Sequence, residues 1–133
     1  MRLYDTHCHF ERADPTEIAA ILRRAKTAGV ERLMAVGGSD ALNEAAALAG
    51  EIGIREQGTG ISVGDLPEVL CAFGRDREQI NRPDDSSLFP DPRSLIPLAA
   101  VGEIGLDYHY SPATRAAPLG LFGEQPGEAR RRD

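Results

Sequence analysis

An α/β fold, with a parallel sheet and crossover helices, is what this sequence predicts, and three observations carry the prediction. Strand-like and helix-like patterns alternate along the first third of the chain. Each helix pattern presents a single apolar stripe, as a helix lying on a sheet does. A later apolar run, Ala99–Tyr108, reads as a further buried strand.

The elements follow in order. Arg2–Phe10 is a first strand with a short apolar start. Asp14-Pro15-Thr16-Glu17 then opens a helix. Asp14 suits the cap, Pro15 the first helical position, and Glu17 completes a capping-box-like spacing. Ile18, Ile21, Leu22 and Ala25 fall at i, i+3, i+4 and i+7, a core-facing stripe, and Gly29 supplies the stop. Val30–Val36 is the second strand, closed by Gly37-Gly38-Ser39. A second helix runs from about Asp40 to Gly50, with Leu42, Ala45, Ala46 and Ala49 as its buried face; side chains this small predict close packing on a sheet. Ile54–Val63 is expected to hold a third strand, although Arg55, Glu56 and Gln57 interrupt it, and Leu66–Phe73 to form a short helix.

Residues 75–94 are of a different kind. They hold nine charged residues and three prolines, with Ile80, Leu88 and Phe89 as the only large apolar groups. Such a segment buries too little to offset its ordering entropy, so a mobile surface insertion is expected; the competing reading is an ordered loop packed by Leu88 and Phe89. Residues 126–133 are expected to be a solvated polar tail. Arg130-Arg131-Arg132 offers too few charges for a nucleic-acid arm.

Two motifs carry chemistry. In Asp5-Thr6-His7-Cys8-His9-Phe10, strand alternation projects His7 and His9 from one face, where two neutral imidazoles suit zinc and similar divalent ions. Asp5 shares that face, as a third ligand or as a partner orienting a histidine. The competing reading is a pair of polar residues at a strand end. In Val101-Gly102-Glu103-Ile104-Gly105, a single carboxylate interrupts an apolar run between two glycines. A buried glutamate is costly unless it is paired or metal-bound. The glycines favour the second case, because they let a ligand approach the backbone closely.

Tyr4-Asp5-Thr6-His7-Cys8-His9-Phe10 resembles the first-strand signature of the TatD-type metal-dependent deoxyribonucleases, and Val101-Gly102-Glu103-Ile104-Gly105-Leu106-Asp107-Tyr108 their longer mid-chain signature. Phe122-Gly123-Glu124-Gln125 is similar to the Phe-x-x-Gln of the next family helix. The resemblance runs from about Arg2 to about Gln125 and implies a partial TIM-like (β/α) barrel. A complete barrel takes about 250 residues, so the 133 present correspond to roughly its first half. It implies up to two divalent metal ions, Mg²⁺, Mn²⁺ or Zn²⁺, with His7 and His9 on one and Glu103 bridging both. Asp107 would orient neighbours or cap its loop. The implied activity is hydrolysis of phosphodiester bonds in DNA, and the implied mechanism uses metal to polarise the phosphate and generate hydroxide. No catalytic residue is assigned, because the family's later-strand histidines and aspartate have no counterpart after His109. Weak activity, a related hydrolase of small amides or esters, and a metal-binding remnant without turnover therefore stay open, as does a truncated chain.

Other features narrow the reading. Gly60-Ile61-Ser62-Val63-Gly64 fits a serine-hydrolase elbow, but too few strands precede it and the following Asp107 and His109 adjoin the metal-type signature. No phosphate-loop spacing is present. A net charge of −6 argues against a broad electrostatic nucleic-acid surface, while leaving room for metal ions to supply positive charge locally. Two unspaced cysteines suit a reducing, cytoplasmic setting, and no signal peptide or membrane span is evident. A half barrel leaves sheet edges unpaired, which predicts homo-oligomers or aggregates. Its inward layer is expected to include Leu3, Leu33, Ala35 and Val101.

Overall fold

The computed structural model describes residues 1–58, 65–76, 96, 98–106 and 116–132. Within them the chain builds β1 (Leu3–Cys8), α1 (Pro15–Thr27), β2 (Val30–Gly38), α2 (Asp40–Gly58), β3 (Glu68–Arg75), β4 (Leu98–Val101) and α3 (Ala116–Arg132). The four strands pair in chain order, β1-β2-β3-β4, and every pair is parallel. Parallel neighbours in chain order, with α1 crossing from β1 to β2 and α2 from β2 to β3, form a partial TIM-like (β/α) barrel.

The first helix forms for the reasons its sequence gives. Asp14 Oδ1 accepts the backbone N–H groups of Thr16 and Glu17, both at 2.9 Å, and satisfies two otherwise orphaned donors. Ile18 and Leu22 are fully buried, while Gly29 ends the segment at φ +95°, a conformation that favours glycine. The core lies between the sheet and its helices. Leu33, Ala35, Val69, Cys71 and Phe73 pack there against Ile18, Leu22, Ala45, Ala46 and Ala49. Leu33 and Ala35 therefore face the helices and not the inside of the half barrel, because their alternation on β2 is set by the alanine face of α2. The opposite sheet face carries Tyr4, Arg32, Met34 and Leu70 around an open depression of about 290 Å³. Arg32 Nη2 bonds Glu68 Oε2 there at 2.6 Å, with its guanidinium 6.0 Å from the Tyr4 ring.

Three expected elements differ. The helix expected to stop at Gly50 continues to Gly58, so Ile54–Gly58 is helical where a strand was expected; residues 59–64 lie outside the described ones. Gly53 explains the continuation: a Cβ there would stand 3.1 Å from the Val69 side chain, so glycine lets the helix lie close on β3. An i,i+4 pair between Glu51 and Arg55 adds support. Leu66–Phe73 is not a helix, since Glu68–Arg75 is the third strand. Its run Val-Leu-Cys-Ala-Phe is apolar at every position, and a short strand buried on both faces has no period to read. Residues 126–132, expected as a polar tail, are helical and form the last turns of α3, with Pro126 inside it. Gln125 and Leu121 anchor that helix from buried positions. In the expected insertion, Arg75 closes β3 and Asp76 N–H bonds the Gly38 carbonyl at 2.7 Å. Residues 77–95 lie outside the described ones. No helix among the described residues is long and apolar enough to cross a membrane.

Candidate metal centre

The C-terminal ends of β1 and β4 bring His7, His9 and Glu103 together across the sheet. His7 lies within β1, His9 just beyond its end, and Glu103 just beyond β4. Simple alternation does not place the two histidines, because β1 bulges here. Asp5 pairs with Leu33 and Cys8 with Ala35, so β1 carries one residue more than β2 over this stretch. Bulges of this kind re-aim side chains next to functional sites. Cys8 turns the other way: its thiol donates to the Met34 carbonyl at 3.3 Å. Burial, with a smaller contribution from Asp5, pushes that thiol up to about 11, and Cys8 stands outside the group formed by His7, His9 and Glu103.

The three donors form a triangle. His7 Nε2 lies 3.1 Å from His9 Nε2 and 3.2 Å from Glu103 Oε2, and His9 Nε2 lies 3.6 Å from the same oxygen. Ligands at about 2.0–2.1 Å from one tetrahedral ion stand about 3.3 Å apart. The residues present therefore fit a divalent ion, and they are the one such cluster among the described residues.

His9 is fixed from behind. Its Nδ1 lies 2.8 Å from the Val36 carbonyl oxygen, an acceptor only, so Nδ1 carries the proton and Nε2 presents its lone pair to the triangle. Asp5 neither joins the triangle nor touches a ring. Its Oδ1 accepts the backbone N–H of His7 at 3.1 Å, which holds the bulge that carries the histidine. Glu103 is not the buried strand residue that was expected. β4 stops at Val101, and the carboxylate projects into the mouth with 42 % of its side chain exposed. Relief of burial therefore does not account for its position. A cleft of about 440 Å³ opens beside His9, between the loop after β1 and α1, with Arg12, Glu17 and Ile21 on its walls. Asp107, Ser62 and His109 lie outside the described residues.

Two buried amides at this end of the sheet had no assigned role in the sequence reading. Asn43 on α2 bonds the backbones of Gly38 and Gly74. Gln125 on α3 bonds both backbone groups of Arg75 at 2.8 Å. Asn43 was legible in principle, as a polar residue beside the alanine stripe of α2 and facing a double glycine.

The family profile described as TatD related DNase matches residues 4–131, nearly the whole chain. The chain belongs to the TatD related DNase family. Membership places it among metal-dependent hydrolases and nucleases, and the matched span extends through the last turns of α3. No curated protein matches the chain.

Proposed function

We propose that this TatD-family chain binds divalent metal through His7, His9 and Glu103 and hydrolyses phosphodiester bonds of DNA, slowly when acting alone. The observation that carries the reading is the triangle of donors at ion-sharing distances within the matched span. His7, His9 and Glu103 would hold a divalent ion there, which would supply Lewis-acid polarisation of the phosphate and activation of a water at neutral pH. The chain's own residues do the rest. Val36 holds His9 in the tautomer that presents Nε2, and Asp5 holds the His7 backbone. Both Glu103 contacts with the histidines use Oε2, and Glu103 would be the residue shared with a second divalent ion. The two imidazoles favour Zn²⁺, and the carboxylate also suits Mg²⁺ or Mn²⁺. A cytoplasmic setting belongs to this reading, supported by two free cysteines, Cys71 among them buried.

Low turnover follows from the donor count. The three protein ligands found among the described residues, at a half-exposed mouth, would hold an ion less rigidly than a fully enclosed set. The same observation favours a second reading, metal binding without turnover. Among the described residues β1 pairs only with β2 and β4 only with β3, so copies of the chain are further proposed to associate through these edges.

Assays of DNA and of small esters with added Mg²⁺, Mn²⁺ or Zn²⁺ test the reading. Feeble DNA cleavage, lost with EDTA and in His9→Ala, supports it. Ester turnover with inert DNA moves the substrate to small esters, and metal binding without either activity supports the second reading.

A further inference from the structure

One buried side chain links the histidine side of the site to its glutamate side. Asn43 Oδ1 accepts the Gly38 N–H at 3.1 Å and the Gly74 N–H at 3.4 Å, while Nδ2 donates to the Gly74 carbonyl at 3.1 Å. The amide lies flat on the β2 backbone: a Cβ on Gly37 would stand 1.8 Å from Oδ1. Gly37 directly follows Val36, whose carbonyl holds His9 Nδ1. On the other side, Gly74 lies so close to Gly102 that a Cβ there would stand 2.5 Å from the Gly102 carbonyl carbon. Gly102 N–H bonds the Phe73 carbonyl at 2.8 Å, and Glu103 is the next residue. A continuous path of short contacts thus runs from His9 through Val36–Gly38, Asn43 and Gly74 to Gly102 and Glu103.

We propose that Asn43 is a positioning residue of the metal centre, setting the tautomer of His9 and its spacing from Glu103; this rests on the metal reading above. Helix docking alone does not need an amide at this position. Ala45, Ala46 and Ala49 dock α2 on the sheet by close approach. An amide is needed because Gly38 and Gly74 present N–H groups and Gly74 also presents a carbonyl, and only a side chain with both a donor and an acceptor serves all three. Aspartate keeps the acceptor and loses the donor to Gly74. Serine is too short to reach both strands.

The test compares the wild-type chain with Asn43→Asp and Asn43→Ser. Imidazole nitrogen shifts from NMR report the His9 tautomer in metal-free protein, and visible absorption during Co²⁺ titration reports affinity and geometry. Ala49→Gly, further along the same helix, serves as a comparison that loosens packing without touching the mouth. The Asn43 variants are expected to lose the uniform Nδ1-protonated form of His9. They should bind Co²⁺ about 10- to 100-fold more weakly, the usual effect of losing support behind a ligand, with an altered absorption spectrum. Ala49→Gly should keep both signatures. If Asn43→Asp does not fold, Asn43→Ser carries the test. Unchanged nitrogen shifts and Co²⁺ affinity in a folded Asn43 variant overturn the proposal. A wild-type chain that binds no Co²⁺ removes the metal reading instead, and the nitrogen shifts then still decide whether Asn43 governs His9.

Discussion

Replacing Gln125 with alanine should destabilise the chain out of proportion to the size of the change. The carboxamide acts as a one-residue strand partner for Arg75, accepting from its N–H and donating to its carbonyl, both at 2.8 Å, in a position only 4 % exposed. Truncation leaves both backbone groups without those partners beside α3. Each such loss costs about 1–3 kcal/mol, so the substitution should cost about 2–6 kcal/mol, a large part of the roughly 5–15 kcal/mol that holds a typical domain. With a urea slope of about 1–3 kcal/mol per molar, the unfolding midpoint should fall by about 1 M or more at fixed protein concentration. Gln125→Glu sharpens the test. At neutral pH it keeps an acceptor for the Arg75 N–H but sets a carboxylate oxygen against the Arg75 carbonyl. Protonation restores the donor, so its deficit relative to wild type at the same pH should narrow as the pH is lowered. A midpoint for Gln125→Ala indistinguishable from wild type would refute the reasoning and return the end of α3 to the role of a solvated tail.

Further outcomes follow from other parts of the molecule. Asp14→Ala removes the acceptor for two N–H groups at the start of α1 and should cost about 1 kcal/mol by urea unfolding. Burial raises the Cys71 thiol from 9.0 to about 12, so the folded chain holds that proton more tightly than the unfolded one. The associated stability is complete below about pH 9 and is lost as pH rises toward 12, by up to about 1.4 kcal/mol per pH unit. Wild-type stability should therefore fall more steeply than that of Cys71→Ala between pH 8 and pH 10.5, the reading of parallel urea titrations at about those two values. Light scattering should find oligomers or aggregate, since β1 is exposed along most of its length at a sheet edge. A monodisperse monomer with a sharp heat-capacity transition would count against the open edges.

The parts of this fold that were legible in the sequence are those where local chemistry and tertiary packing agree. Asp14, Pro15 and the stripe from Ile18 to Leu22 specify α1 by themselves, and Val30–Val36 is bounded on both sides by glycine. His7, His9 and Glu103 stood out because ligating residue types interrupted apolar segments. What stayed hidden depends on partners distant in sequence. Gly50 and Gly53 look like helix stops, yet Gly53 is a contact surface for Val69. The third strand is apolar on both faces and carries no period. Glu124–Arg132 is polar enough to read as tail, and only the docking of Gln125 on Arg75 gives it a place in the fold. The bulge in β1 was equally hidden: alternation put His7 and His9 on one face, whereas the geometry that brings them together comes from a register shift against β2.

Calorimetric titration of the chain with Zn²⁺ or Mn²⁺ tests the central claim most directly. Wild-type protein should bind, and His7→Ala, His9→Ala and Glu103→Gln should each weaken binding by more than the roughly 10- to 100-fold that follows loss of a supporting residue. Affinity unchanged in all three variants would contradict a metal centre built from these side chains.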